Sequence, residues 1–276
     1  MASSALPRRP RLPRPRRAWA GAVWRPALLI AAVLGVWKAV TALGLVESYL
    51  VPPPMETWRR FADNAGYLWD AALVTTAETL AGFAAAVVLG LLSALLMAYA
   101  PALEKTVYPV LVFAQVVPKI AVAPLFVVWL GFAFSPKVLM AAFIAFFPVV
   151  VAGFTGLKSI DPDLIELSAT MNATRLQTFV RFRFPAALPF IMSGLKVAVT
   201  LAVTGAVVGE FVGADSGLGY VIVEATGNVD TAMLYAALIL LSLIGVVLFA
   251  LVDLAERLLM PWHSSRRRPG VTTAGS

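Results

Sequence analysis

Six long apolar runs decide what this chain can become. They fall at about 27–45, 75–99, 107–130, 138–157, 189–211 and 232–252, each close to the roughly 20 residues that carry a helix across a bilayer. Inside hydrocarbon every backbone N–H and C=O must find its partner within the protein, so only helices or a closed barrel can span it. The runs are continuous rather than alternating, which selects helices. Composition agrees: the chain is 60% hydrophobic and only 13% charged, against about a quarter charged in a soluble domain. The reading is an all-α membrane protein with six transmembrane helices. A basic tail (1–26), a transmembrane domain (27–262) and a short tail (263–276) make up the chain.

Charge placement orients the spans. The first 26 residues hold seven arginines and no acid. They read as a disordered, lipid-facing cytoplasmic tail rather than a secretory signal, because the apolar segment after them is too long for a signal core. Counting 1–26, 100–106, 158–188 and 253–276 as inside gives 16 basic residues there, against three in 46–74, 131–137 and 212–231. By the positive-inside rule both termini are cytoplasmic and the protein is multi-pass. Five charges remain within the spans: Lys38, Glu78, Lys119, Lys196 and Glu210. The net charge of +7 thus belongs to membrane lipid, not nucleic acid.

One long polar stretch interrupts the second half, from Asp161 to Pro189. Asp161-Pro162 pairs an N-cap with a first-turn proline. Leu164, Leu167, Ser168 and Met171 follow at helical spacing. Asn172 tolerates a left-handed turn, and Thr174 with Gln177 has the spacing of a capping box. A second helix then carries Leu176, Phe179 and Val180, and Pro185 and Pro189 are expected to close it. Two short amphipathic helices at an angle, on the cytoplasmic face, form a surface suited to docking; lying on the membrane is the plainer alternative.

Glu166-Leu167-Ser168, the turn at Asn172 and Pro185-x-x-x-Pro189 resemble the EAA loop of permeases in binding-protein-dependent ABC importers, closest to the branch for nitrate, sulfonate, taurine and pyrimidine-type substrates. Asn172 stands where that pattern has Gly. The likeness runs from about Leu50 to Trp262. It implies a type I importer fold in a bacterial cytoplasmic (inner) membrane. Its implied partners are a permease homodimer, a cytosolic ABC ATPase dimer and an extracytoplasmic substrate-binding protein. In that scheme Glu166, Ser168 and Asn172 fix the docking element. Leu164, Met171, Leu176 and Phe179 fill the ATPase groove, with Pro185 and Pro189 behind them. The runs Val117–Gly131 and 206–220 are also similar to permeases for thiamine-precursor pyrimidines or riboflavin.

Gln115, Pro118, Lys119 and Pro124 share the third run, which is longer than one span needs. A proline-broken helix lining a path is one reading. The other lays the first third flat on the cytoplasmic surface and makes Lys119 interfacial; the excess length favours it. Gln115, Lys119 and Glu210 are the candidate path residues, although Lys196 and Glu210 also suit interfacial roles. Gly205, Gly209, Gly213 and Gly217 recur every four residues, the spacing of close helix approach within the bundle or across a dimer.

No catalytic residue or cofactor is assigned. The chain lacks a G-x-x-x-x-G-K-[ST] phosphate loop, metal-ligand spacings, a hydrolase elbow and any cysteine. ATP hydrolysis is therefore expected on a partner subunit. A membrane enzyme has no catalytic cluster to stand on. An ion-coupled secondary transporter is the alternative reading, lacking midplane acids and related halves.

Overall fold

A computed structural model describes residues 20–260. The tail segments 1–19 and 261–276, read above as disordered or cytoplasmic, therefore lie outside the described residues. The helices in chain order are α1 (Ala20–Ala42), α2 (Pro54–Asp63), α3 (Ala65–Tyr99), α4 (Pro101–Val116), α5 (Ala123–Leu130), α6 (Phe134–Lys158), α7 (Pro162–Thr170), α8 (Arg175–Thr178), α9 (Phe184–Gly213), α10 (Leu218–Gly227) and α11 (Thr231–Leu259). No strand occurs among the described residues.

Four of the six expected spans are single long apolar helices: Ala65–Tyr99, Phe134–Lys158, Arg175–Gly213 and Thr231–Leu259. The third expected span is a bent pair, α4 and the helical stretch Lys119–Leu130, meeting at 90°. The cause is local. Pro118 cannot donate a backbone hydrogen bond, and Val117 before it is extended (φ −61°, ψ 130°), as residues preceding proline prefer. The first expected span is α1, whose apolar part, Ala27–Ala42, is shorter than the usual requirement.

The core is a slab of α3, α6 and α9, packed on an alanine seam of Ala86, Ala141, Ala145, Ala198, Ala202 and Ala206. Small side chains let the backbones close in where lipid offers no hydrophobic drive for association. Gly205 shows how tight this is: a Cβ there would lie 2.6 Å from Ala141 Cα. The four-residue glycine repeat is used inside the subunit, with Gly205 and Gly209 against α6 and Gly213 against Val127 of α5.

Pro185 and Pro189 do not end the second amphipathic helix, as the sequence reading has it. A π-helical turn, Phe179–Arg183, joins α8 to α9, and Phe184 N–H bonds back five residues to Phe179. The wider turn carries the helix past Pro185, whose ring would clash with a tight one. Arg175–Gly213 is thus one 39-residue helix. Lys196 does not snorkel alone; its ammonium pairs with Asp253 and Glu256 of α11.

Candidate functional site

Three polar features stand out from this apolar frame. The first is the stretch after α6. Asp161 Oδ1 accepts the Asp163 amide at 3.0 Å, capping α7. Asn172 adopts φ 53°, and Ala173 N–H reaches back to the Ser168 carbonyl at 3.0 Å. That is the left-handed helix stop usually made with glycine. The predicted capping box restarts the chain: Gln177 N–H donates to Thr174 Oγ1 at 3.3 Å, and Thr174 N–H to Gln177 Oε1 at 2.9 Å. Ser168 is buried at the elbow, donating to the Ile165 carbonyl at 2.7 Å and sharing a 3.1 Å hydrogen bond with Thr178.

Around this elbow Leu164, Leu167, Met171 and Leu176 are exposed, the last two by 72% and 71%, and Glu166 is exposed with them. Phe179 is different. It turns into the bundle against Leu157, Ala187 and Ile191 and faces Tyr99 at 6.1 Å, so it does not join the outward apolar set. Pro185 and Pro189 are half-buried in the continuing helix.

The second feature is the break between α4 and α5. Glu104 pairs with Lys158 at the end of α6. One turn on, Tyr108 packs on Phe154 at 5.2 Å, and Leu111 joins Val150 and Phe146. α4 therefore climbs beside α6 rather than lying flat at its end. Lys119 then sits over the Phe147 ring at 4.8 Å and donates to the Gln115 carbonyl at 3.3 Å. Phe147 is thirteen residues from Phe134 and eleven from Lys158, roughly 20 Å and 17 Å along the helix. Lys119 is thus level with the middle of α6. Gln115 is exposed beside it.

The third feature lies at the opposite end from the elbow, where Glu210 was read as a path residue. It is only 2% exposed. Its carboxylate accepts from Thr75 Oγ1 at 2.6 Å and from Gly219 N–H at 2.5 Å, while Thr75 Oγ1 accepts Leu218 N–H at 2.8 Å. The carboxylate thus sits at the N-terminus of α10, taking the Gly219 amide directly and reaching the Leu218 amide through Thr75, an arrangement favoured by the helix dipole. Gly217 (φ +98°) and Gly219 make room for it; a Cβ on either would fall 2.1 Å or 2.6 Å from a carboxylate oxygen. Glu78 and Lys137 are buried in the same cluster, 3.5 Å apart. Lys137, assigned by sequence to a loop, is inside α6. Its oxygens are bonded within its own chain. The signal for this cluster was the unexplained acid Glu78 in an apolar run; nothing local marked Lys137.

Beyond this cluster a polar cavity of about 530 Å³ opens among Arg60, Tyr67, Asp215, Glu224 and Asp230. Arg60 forks onto Asp230, whose other oxygen caps α11 by accepting Met233 N–H at 3.0 Å. Partial burial disfavours the Asp230 charge, but the Arg60 bond and the Met233 amide outweigh it and hold its pKa below the usual aspartate value.

A bundle of long apolar helices with a capped, apolar elbow at one end and a charged break between α4 and α5 is the build of a membrane protein's spanning domain. Residues 86–262 match the family described as the binding-protein-dependent transport system inner membrane component, and the chain belongs to that family. It is 37% identical to the formylaminopyrimidine transport permease protein ThiX of Halalkalibacterium halodurans, over 87% of this chain and 96% of that protein. It is 30% identical to the putative aliphatic sulfonates transport permease protein SsuC of Bacillus subtilis, over 88% and 89%. The fold is like that of a chain in an inward-facing structure of the MetNI methionine ABC transporter: TM-score 0.62, 21% identity, 71% of this chain and 98% of that one.

Proposed function

We propose that this chain is the permease subunit of an ATP-driven importer in a bacterial inner membrane. It crosses six times, α1 being the first crossing, with both termini in the cytoplasm. Two copies pair, two ATPase subunits dock on the elbows, and a binding protein delivers solute at the opposite face. The cargo is a small solute: a sulfonate, taurine or nitrate-type anion, or a thiamine-precursor pyrimidine or riboflavin.

The observation that carries this reading is the elbow itself. Leu164, Met171 and Leu176 are exposed around a backbone locked by Asn172, Ser168 and the Thr174–Gln177 box, and its second helix runs unbroken into the core. Such an apolar set on a rigid support fits a groove on a partner. ATP-driven closure of the ATPases moves the elbow, and α9 carries the motion inward. Glu166 supplies a charged contact, while Phe179, Pro185 and Pro189 seat the elbow on the bundle. Gln115 and Lys119 line the path.

Leu176→Asp places a charge in the groove contact without touching the fold. Co-purification of the ATPase with the tagged permease is expected to drop at least tenfold, with membrane insertion unchanged. ATPase recovery at the wild-type level would refute the docking role.

A further inference from the structure

We propose that the cleft beside the elbow binds the phosphate of an anionic phospholipid from the leaflet at that end of the bundle, with Arg175 and Arg183 as its ligands. The inference goes beyond the importer reading, since it needs only a bundle embedded in a membrane.

The cleft holds about 350 Å³ between the end of α3 and the elbow, where Tyr99, Ser168, Arg175, Thr178 and Arg183 line it and no carboxylate does. Among the described residues neither arginine pairs with an acid. Arg183 lies over the Tyr99 ring at 5.5 Å, a contact that orients the guanidinium and leaves its charge. The hydroxyls of the wall are already spent. Ser168 donates to the Ile165 carbonyl, so its bond with Thr178 uses the Thr178 proton. The two guanidiniums, with five N–H donors each, are therefore what the cleft offers a ligand. Their planar forks match phosphate oxygens two at a time.

The π turn puts both on one side. Eight residues of α-helix would leave Arg183 about 80° round from Arg175; the extra residue of the turn Phe179–Arg183 brings it back to within about 20°. Two cations on one face repel until an anion joins them. The cleft also continues into an apolar surface. From Tyr99 the rings run through Phe179 to Phe184 at 6.1 Å and 6.0 Å, and Tyr99, Phe184 and Leu96 of α3 are exposed. Aromatic rings beside such a cleft mark a membrane boundary, and the apolar surface beyond them suits an acyl chain, which a free phosphate lacks. With no acid in the cleft, a headgroup of net negative charge gains more there than one carrying its own cation.

The full-length chain, purified in detergent, is titrated with dioleoyl phosphatidylglycerol or dioleoyl phosphatidylcholine, and bound lipid is counted by native mass spectrometry. Wild type is expected to favour phosphatidylglycerol. Arg175→Gln or Arg183→Gln should each weaken that binding about fivefold, and the two together on the order of thirtyfold. Arg59→Gln, on α2 at the far end, should leave it unchanged. The single variants carry the comparison should the double variant fold poorly. Equal uptake of the two lipids, or a phosphatidylglycerol affinity unmoved by removing the arginines, overturns the proposal. Displacement of the lipid by equimolar inorganic phosphate overturns it in favour of a soluble anion. Unchanged lipid binding with a loss of ATPase recovery overturns it in favour of a protein contact.

Discussion

Glu210→Ala tests whether the buried carboxylate holds the far end of the bundle together. The substitution removes the acceptor of Gly219 N–H, which has no other partner in the network, and the acceptor of Thr75 Oγ1, which retains the Ala71 carbonyl at 3.2 Å. One buried donor is therefore orphaned outright, at a cost of about 1–3 kcal/mol. The missing carboxyl also leaves a void beside the surviving Lys137–Glu78 pair, and the lost hydrogen bond and the cavity together cost about 3–5 kcal/mol. At roughly 2–4 °C per kcal/mol for a chain of this size class, the melting temperature should fall by on the order of 10 °C. Glu210→Gln keeps the volume and one acceptor but sets an amide N–H₂ or a lone oxygen against mismatched neighbours, so its loss should be smaller, about 1–3 kcal/mol. The assay is a thermal melt of the detergent-solubilised permease read by size-exclusion fluorescence, with Ser242→Ala on an exposed helix face as control. Glu210→Ala melting within a degree of wild type would refute the account, and so would a glutamine variant worse than the alanine one.

Three further outcomes follow from the same geometry. Asn172→Val forces a β-branched residue into φ 53° and should cost about 1–2 kcal/mol, weakening ATPase recovery, whereas Asn172→Gly should be neutral or better in the same pull-down. Asp230→Ala removes both the α11 cap and the Arg60 contact; a Tm loss equivalent to about 1 kcal/mol is expected, and no loss would show that the cap is idle. Because the folded pKa of Asp230 is lowered, its contribution is complete above the ordinary aspartate value of 3.8 and is lost as the pH falls below it. Melts of wild type and Asp230→Asn should therefore converge at low pH and diverge near neutrality.

The elbow was legible in the sequence almost residue by residue. Capping boxes, a left-handed Asn and a first-turn proline are local signals, and local hydrogen bonds decide them. Four of the spans were legible as single helices too, since length and hydropathy are properties of one segment. What escaped was set by neighbours. Pro185 looked like a stop because a proline clashes with a tight turn; a π turn absorbed the clash. Lys137 looked like a loop cation because its acid, Glu78, is on another helix. Phe179 had the spacing of the outward apolar set, and only the packing of Tyr99 and Leu157 shows which way it turns. The level of Lys119 along the bundle was likewise not legible, because it depends on α4 packing beside α6.

The unbroken Arg175–Gly213 helix has a mechanical consequence. Thirty-nine residues make a rod of roughly 58 Å, with the elbow at one tip and the Glu210 cluster near the other. Its glycine contacts with α6, where Gly205 bears on Ala141, act as a fulcrum. A beam pivoting there by about 10° swings the elbow tip by roughly 8 Å and the other tip by roughly 2 Å in the opposite sense. Pushing the elbow one way would then drag α10 the other, with the π turn at Phe179–Arg183 as the one irregular point between the elbow and the fulcrum.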